Sequence, residues 1–287
     1  TISRTLQPVS RVPLLLRLAE IHERRLGDPT RALDVLLRAL VIQPDERRLL
    51  REVARLADLT GEHPRAFHAL GDIVETATDP ALRVVLNLQR AALSQTRSGR
   101  STDTLRCYEA VLADEPDHLE ALNEAAAIYR DLGQFAALAD ALGQLSLLLP
   151  DAQARGTTLR ELGTLCRTRL GRPADAIAAF EAARSILGDD VPTLRALQEL
   201  YHEHGRVDAE VEVLERLAVV DPDPPVAWRT AALRLTVEVL GDEARALRMA
   251  TDLLQQDPTN EQALDLLENH HRKTNNTAGL RSILERR

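Results

Sequence analysis

A chain of 287 residues with 44 % apolar and 28 % charged residues has the balance of a folded globular protein, which excludes a disordered or collagen-like polymer. Three Phe, three Tyr and one Trp are too few aromatics for the cores of a β-sandwich or barrel, whereas Ala and Leu, both good helix formers, dominate the apolar share. The net charge of −8 opposes general binding to a phosphate backbone, although it is uneven: residues 1–100 carry sixteen basic and twelve acidic side chains, the remainder twenty and thirty-two.

The predicted elements follow a ladder of prolines at Pro8, Pro44, Pro80, Pro116, Pro150, Pro222 and Pro258, in steps of 36, 36, 36, 34, 72 and 36. Gly188, followed by Asp189 and Asp190, stands at the missing rung. A second ladder, Gly27, Gly99, Gly133, Gly171, Gly205 and Gly241, precedes the first by seventeen residues. Between each Gly and its Pro runs one apolar helical face, as in Ala32, Leu36, Ala39 and Leu40; we term it helix B. Before each Gly runs another, helix A, as in Leu119, Leu122, Ala125, Ala126 and Tyr129. Glycine ends helix A because it enters the left-handed region without steric cost. Pro29, Pro64 and Pro173 then open helix B, where a missing N–H costs nothing.

In chain order the spacing predicts eight hairpins, at 12–43, 47–77, 80–114, 118–148, 152–187, 191–219, 225–256 and 260–286. A hairpin of this size cannot bury its own apolar face, so neighbours must stack into a solenoid with a shared core. The odd hairpins carry an extra residue or two before their Gly, as in Arg169-Leu170-Gly171 and Val239-Leu240-Gly241, giving an underlying period near 72.

These residues resemble the tetratricopeptide repeat (TPR), a 34-residue pattern with Leu-Gly at positions 7 and 8, Tyr at 11, Ala at 20, an aromatic at 24, Ala at 27 and Pro at 32. In the fifth hairpin Leu162, Gly163, Ala176, Phe180 and Ala183 match 7, 8, 20, 24 and 27; elsewhere Tyr129, Tyr201, Trp228, Ala246 and the prolines match. The resemblance spans the chain, though Gly occupies position 8 only in the fifth hairpin. It implies an all-α, right-handed α-solenoid of about eight TPR-like hairpins, some sixteen helices, over residues 12–287 as one domain. Residues 1–11 read as the remnant or linker of a preceding repeat, because Pro8 ends a hairpin that is absent. With no polar capping helix after Leu280, Ile283 and Leu284, we expect a segment of a longer repeat protein, and uncapped ends that admit self-association.

Chemistry is sparse. His202 and His204 lie two apart and point to different sides of a helix, so they do not converge on a metal, and His271 reads as a packing residue at the Tyr position of its repeat. There is no Gly-x-Ser-x-Gly elbow, phosphate loop or dinucleotide fingerprint. Cys107 and Cys166 read as buried, inert thiols of a reducing compartment. No catalytic, cofactor or metal residue is expected. The sequence lacks a signal-peptide core and a membrane-spanning run, pointing to a cytoplasmic protein without nucleic-acid or membrane partners.

The expected function is a non-enzymatic scaffold that binds a protein or peptide on its helix A wall. The alternative is the regulatory or sensor arm of a larger enzyme or signalling protein. In TPR proteins the ligand-facing positions are 2, 5, 9 and 12. By resemblance these give Arg51, Arg55 and Asp58 in the second hairpin, Asn123 and Arg130 in the fourth, Arg195, Glu199 and His202 in the sixth, and Asp265, Asn269 and Arg272 in the eighth. Arg51 and Arg55, one turn apart, would make a basic fork for an acidic segment; pairing with Glu52 or Asp58 is the competing arrangement.

Overall fold

A computed structural model describes residues 11–98, 101–221 and 225–286. Among these residues there are sixteen α-helices and no strand, arranged as eight successive antiparallel pairs. In the first compact body, which ends at Leu148, they are α1 (Val12–Arg24) with α2 (Pro29–Ile42), α3 (Arg47–Thr60) with α4 (His63–Thr76), α5 (Pro80–Ser98) with α6 (Thr102–Asp114), and α7 (Leu119–Leu132) with α8 (Phe135–Leu148). The second body, from Leu149, holds α9 (Ala152–Leu165) with α10 (Pro173–Leu187), α11 (Val191–Glu203) with α12 (Val207–Val220), α13 (Pro225–Leu235) with α14 (Glu243–Gln256), and α15 (Glu261–Lys273) with α16 (Thr277–Arg286). These pairs are the hairpins expected from the two ladders. Three rungs, Pro8, Gly99 and Pro222, lie outside the described residues, as does all but Arg11 of the expected remnant.

Local chemistry sets the ends. The side chains of Asp28, Asp151, Asp190, Asp242 and Asn260 each accept a backbone N–H three residues on, satisfying a donor that the first turn leaves orphaned. α7 closes with Gly133 at φ 69° while the Gln134 N–H donates to the Tyr129 carbonyl at 2.9 Å. Gly205, with Arg206 N–H on Tyr201 O, repeats that closure after α11. After α15 the same 2.9 Å bond runs from Asn276 N–H to His271 O, but the left-handed residue is Asn275, at φ 54°.

The extra residues of the odd hairpins have a structural form. α9 and α13 each continue into a π-helical turn, Cys166–Leu170 and Thr236–Leu240, before Gly171 and Gly241. The wider turn takes up an added residue without breaking the helix. The first hairpin shows the same widening at its end: Leu26 N–H donates to Ile21 O and Asp28 N–H to His22 O, matching Arg172 N–H on Cys166 O.

In both bodies apolar clusters cross hairpin boundaries. Leu33 and Leu40 of α2 pack in one cluster with Leu49, Val53 and Leu56 of α3, Leu70 of α4 and Leu86 of α5. Tyr108 and Val111 of α6 join Ala121, Ala125 and Ile128 of α7. In the second body Phe180 of α10 packs with Leu194, Leu197 and Leu200 of α11 and Val213 and Leu217 of α12. Burial that no hairpin achieves alone is thus supplied by its neighbours, at about 25 cal/mol for each Å² removed from water. Among the described residues no helix is long and apolar enough to cross a membrane.

Candidate partner-binding surface

The eleven candidate residues all lie on A helices, where a buried apolar stripe dictates the outward face. On α3, burial of Leu49, Leu50, Val53, Leu56 and Ala57 leaves Arg47, Arg51, Arg55 and Asp58 exposed on the opposite side. Arg47, Arg51 and Arg55 follow one another at intervals of one helical turn. Arg55 is already engaged: its two terminal nitrogens donate to the Glu23 carboxylate of α1, both at 2.7 Å, and its Nε to Glu52 at 3.0 Å. That fork holds the Glu23 carboxyl below the usual range and raises the proton affinity of Arg55. Asp58 meets His63 at 2.7 Å. Arg51 donates through Nε to the Arg47 carbonyl at 3.4 Å.

The fourth hairpin exposes Asn123 and Arg130 on α7, with the Asn123 amide returned to the Leu119 carbonyl at 3.0 Å. On α11, Arg195, Glu199 and His202 form an exposed row, and each meets a residue from another element. Arg195 clasps the buried Asp221 carboxylate at 3.0 and 2.7 Å and lies 5.9 Å from the Trp228 ring centroid. Glu199 accepts from Arg167 at 2.5 Å, and the same guanidinium reaches Glu203 at 3.1 Å. His202 Nδ1 lies 3.1 Å from the buried Glu210, which also accepts from Gln198. On α15, Asp265, Asn269 and Arg272 share the exposed side, Arg272 pairing with Glu268 one turn back.

The structure therefore brings the candidates into four rows, one on each of α3, α7, α11 and α15. It also identifies residues that sequence reasoning missed: Glu23, Arg167, Glu210 and Asp221, which tie candidate side chains to neighbouring elements. A signal for two of them was present, because Glu23 and Arg55, and Arg167 and Glu199, are both 32 residues apart and opposite in charge. Among the described residues no group of three or more His, Cys, Asp or Glu could hold a metal ion. Both cysteines are buried and free, and burial pushes the Cys107 thiol up to about 11.

The repeat chemistry is clearest in the fifth hairpin. Gly163 of α9 lies so close to the Phe180 ring of α10 that a Cβ would meet three ring atoms at 3.0 Å, and Ala176 and Ala183 flank Phe180 in full burial. The described residues form an array of helical hairpins, and the fifth packs as its resemblance to the TPR pattern implies. No protein-family model matches the chain, and no curated protein matches it in sequence. Solved structures similar to it include a tetratricopeptide repeat protein from Parabacteroides merdae, 16 % identical with a TM-score of 0.39 over 90 % of this chain and 98 % of that one. MamA is 17 % identical with a TM-score of 0.38 over 63 % and 94 %. YrrB, described as a TPR protein with an unusual peptide-binding site, is 17 % identical with a TM-score of 0.38 over 69 % and 96 %. The reading of the fold stands on the hairpins themselves.

Proposed function

We propose that the chain is a non-enzymatic interaction scaffold that receives an extended peptide or a helix of a protein partner along the exposed side of its A helices. The observation that carries this reading is the recurrence, in every second hairpin, of polar side chains held in rows on α3, α7, α11 and α15 above an apolar core shared between repeats. Each row is short, so affinity accrues from several modest contacts along the partner. Cross-links such as Arg55 with Glu23 and Arg167 with Glu199 hold adjacent A helices in register, which keeps that surface ordered before a partner arrives.

Within the first body, Arg47 and Arg51 are the cations of α3 available to a partner, since Arg55 already holds two carboxylates and Arg48 pairs with Glu20. The buried thiols suit a reducing, cytoplasmic setting, and the acidic balance favours protein over nucleic acid. Affinity capture with the full chain as bait, quantified against Arg47→Glu with Arg51→Glu and against Asn269→Ala with Asp265→Ala, tests the proposal. Partners lost from either A-helix variant support it. Partners retained by both variants contradict it.

A further inference from the structure

The most exposed large apolar side chains lie away from the A-helix rows. Leu147, Val219 and Val41 are 83 %, 74 % and 68 % exposed, more than any other large apolar residue described. All three occupy one repeat position, the last turn of a B helix three residues before a ladder proline (Pro150, Pro222 and Pro44). Chance exposure of single apolar residues is ordinary. Recurrence at one register of the repeat, on the edge where the B helices end, is a pattern.

At Val41 the next hairpin completes a notch. The end of α2 and the 77–79 loop flank an open notch of about 440 Å³, floored by Ile73 and Leu82, with Pro44 and Ala77 on its walls. Its rim carries the exposed carboxylates of Asp72 and Asp79, and no cation lines it. Asp79 uses one oxygen to accept the Ala81 N–H at 3.1 Å. Arg83, the cation that senses Asp79, is forked onto Asp114 of α6 and also donates to the Ala77 and Thr78 carbonyls. The loop is thereby pinned while the notch keeps its negative rim. Among the described residues Asp72 has no ion-pair partner.

We infer that this notch is a second docking surface, distinct from the A-helix rows, and that its occupant is a peptide segment carrying a large aliphatic or aromatic side chain with Lys or Arg close beside it. The apolar floor and Val41 take the hydrophobic side chain; the carboxylates of Asp72 and Asp79 take the cation. Charge complementarity selects against acidic segments, the class that Arg47 and Arg51 would favour on the α3 row.

The test selects a phage-displayed library of random 12-residue peptides on the immobilised full chain. Enriched peptides are then titrated, with a fluorescent label, against the wild type, Val41→Asp, Asp72→Lys and Arg51→Glu. Val41 and Asp72 are exposed, so both changes leave the packing intact. The expected peptides join Leu, Ile, Met or Phe to a nearby Lys or Arg, and lose at least tenfold in affinity with Val41→Asp and with Asp72→Lys. They bind Arg51→Glu unchanged, so failure here is separate from failure of the A-helix proposal. Replacing the peptide's Lys or Arg by Glu should restore binding to Asp72→Lys. An empty selection, a selection yielding acidic peptides alone, or binding indifferent to both notch variants would overturn the inference. So would sedimentation showing a dimer that Val41→Asp dissociates, since a second copy would then be the occupant.

Discussion

The hydroxyl of Tyr201 on α11 donates to Glu181 of α10 at 2.7 Å, and 72 residues earlier the hydroxyl of Tyr129 on α7 donates to Glu109 of α6 at 3.0 Å. Both bonds reach back twenty residues, from an A helix to the B helix before it. They are the polar counterpart of the shared apolar cores. Tyr201 is nearly buried, so its bond to a carboxylate should contribute about 1.5–3 kcal/mol, and the more exposed Tyr129 less. Tyr201→Phe should therefore lower stability in urea denaturation by more than Tyr129→Phe. Burial and then Glu109 push the Tyr129 phenol up to about 12, and burial and then Glu181 raise Tyr201. A raised folded-state value means that stability from these groups is complete below the ordinary phenol value and is lost as pH rises through the raised one. Each Phe variant should flatten that alkaline loss.

The Glu23–Arg55 fork predicts behaviour at the acid end. Glu23 lies below its ordinary value, first through its hydrogen bond from Arg55. Its stabilisation is therefore present above the ordinary carboxylate range and is lost as pH falls through the depressed value. Because the Arg55 side chain is 46 % exposed, the pair contributes roughly 0.5–1 kcal/mol. Arg55→Gln should remove that amount at pH 7 and make the first body's unfolding midpoint less steep in acid, as followed by circular dichroism across pH 2–6.

Two glycines in helices should respond in opposite ways to alanine. At Gly163 the new Cβ presses on the buried Phe180 ring at 3.0 Å, so Gly163→Ala should destabilise by about 1–3 kcal/mol. At Gly143 on α8 a Cβ meets nothing within 4 Å, and Gly143→Ala should stabilise by up to about 1 kcal/mol from helix propensity alone. Thermal unfolding of the two variants reads the contrast directly.

Asn275 holds the left-handed position that Gly133 and Gly205 hold in earlier hairpins. Asn275→Gly should be neutral or slightly stabilising, whereas Asn275→Val should cost about 1–2 kcal/mol because a β-branched side chain resists positive φ. Differential scanning calorimetry of both variants checks the order.

The sequence made the helices legible because turn chemistry and apolar periodicity coincide: Pro29, Gly133 and Pro173 mark ends that Ala32, Leu122 and Phe180 then confirm by burial. Asn275 stands outside the glycine ladder, yet Asn is the next residue type able to occupy the left-handed closing position. The extra residues before Gly171 and Gly241 were visible as insertions, but their resolution into π turns depends on backbone bonding that spacing does not encode. The partner surface was legible by position and not by state. Placing Arg51 and Arg55 on one face requires only helix geometry, whereas filling Arg55's fork with Glu23 requires knowing how α1 sits against α3. His271 stands at the Tyr position of its repeat, and its ring lies against Gly279 of α16.

Mutual dependence of neighbouring hairpins is the premise beneath both docking proposals, and hydrogen exchange on the full chain measures it hairpin by hairpin. Leu197 of α11 is fully buried in a cluster that includes Ile177 and Phe180 of α10. Leu197→Ala should cost about 2–5 kcal/mol. Faster amide exchange is predicted across α9 and α10 as well as α11 and α12. Faster exchange confined to α11 and α12, with α9 and α10 as protected as in the wild type, would contradict it.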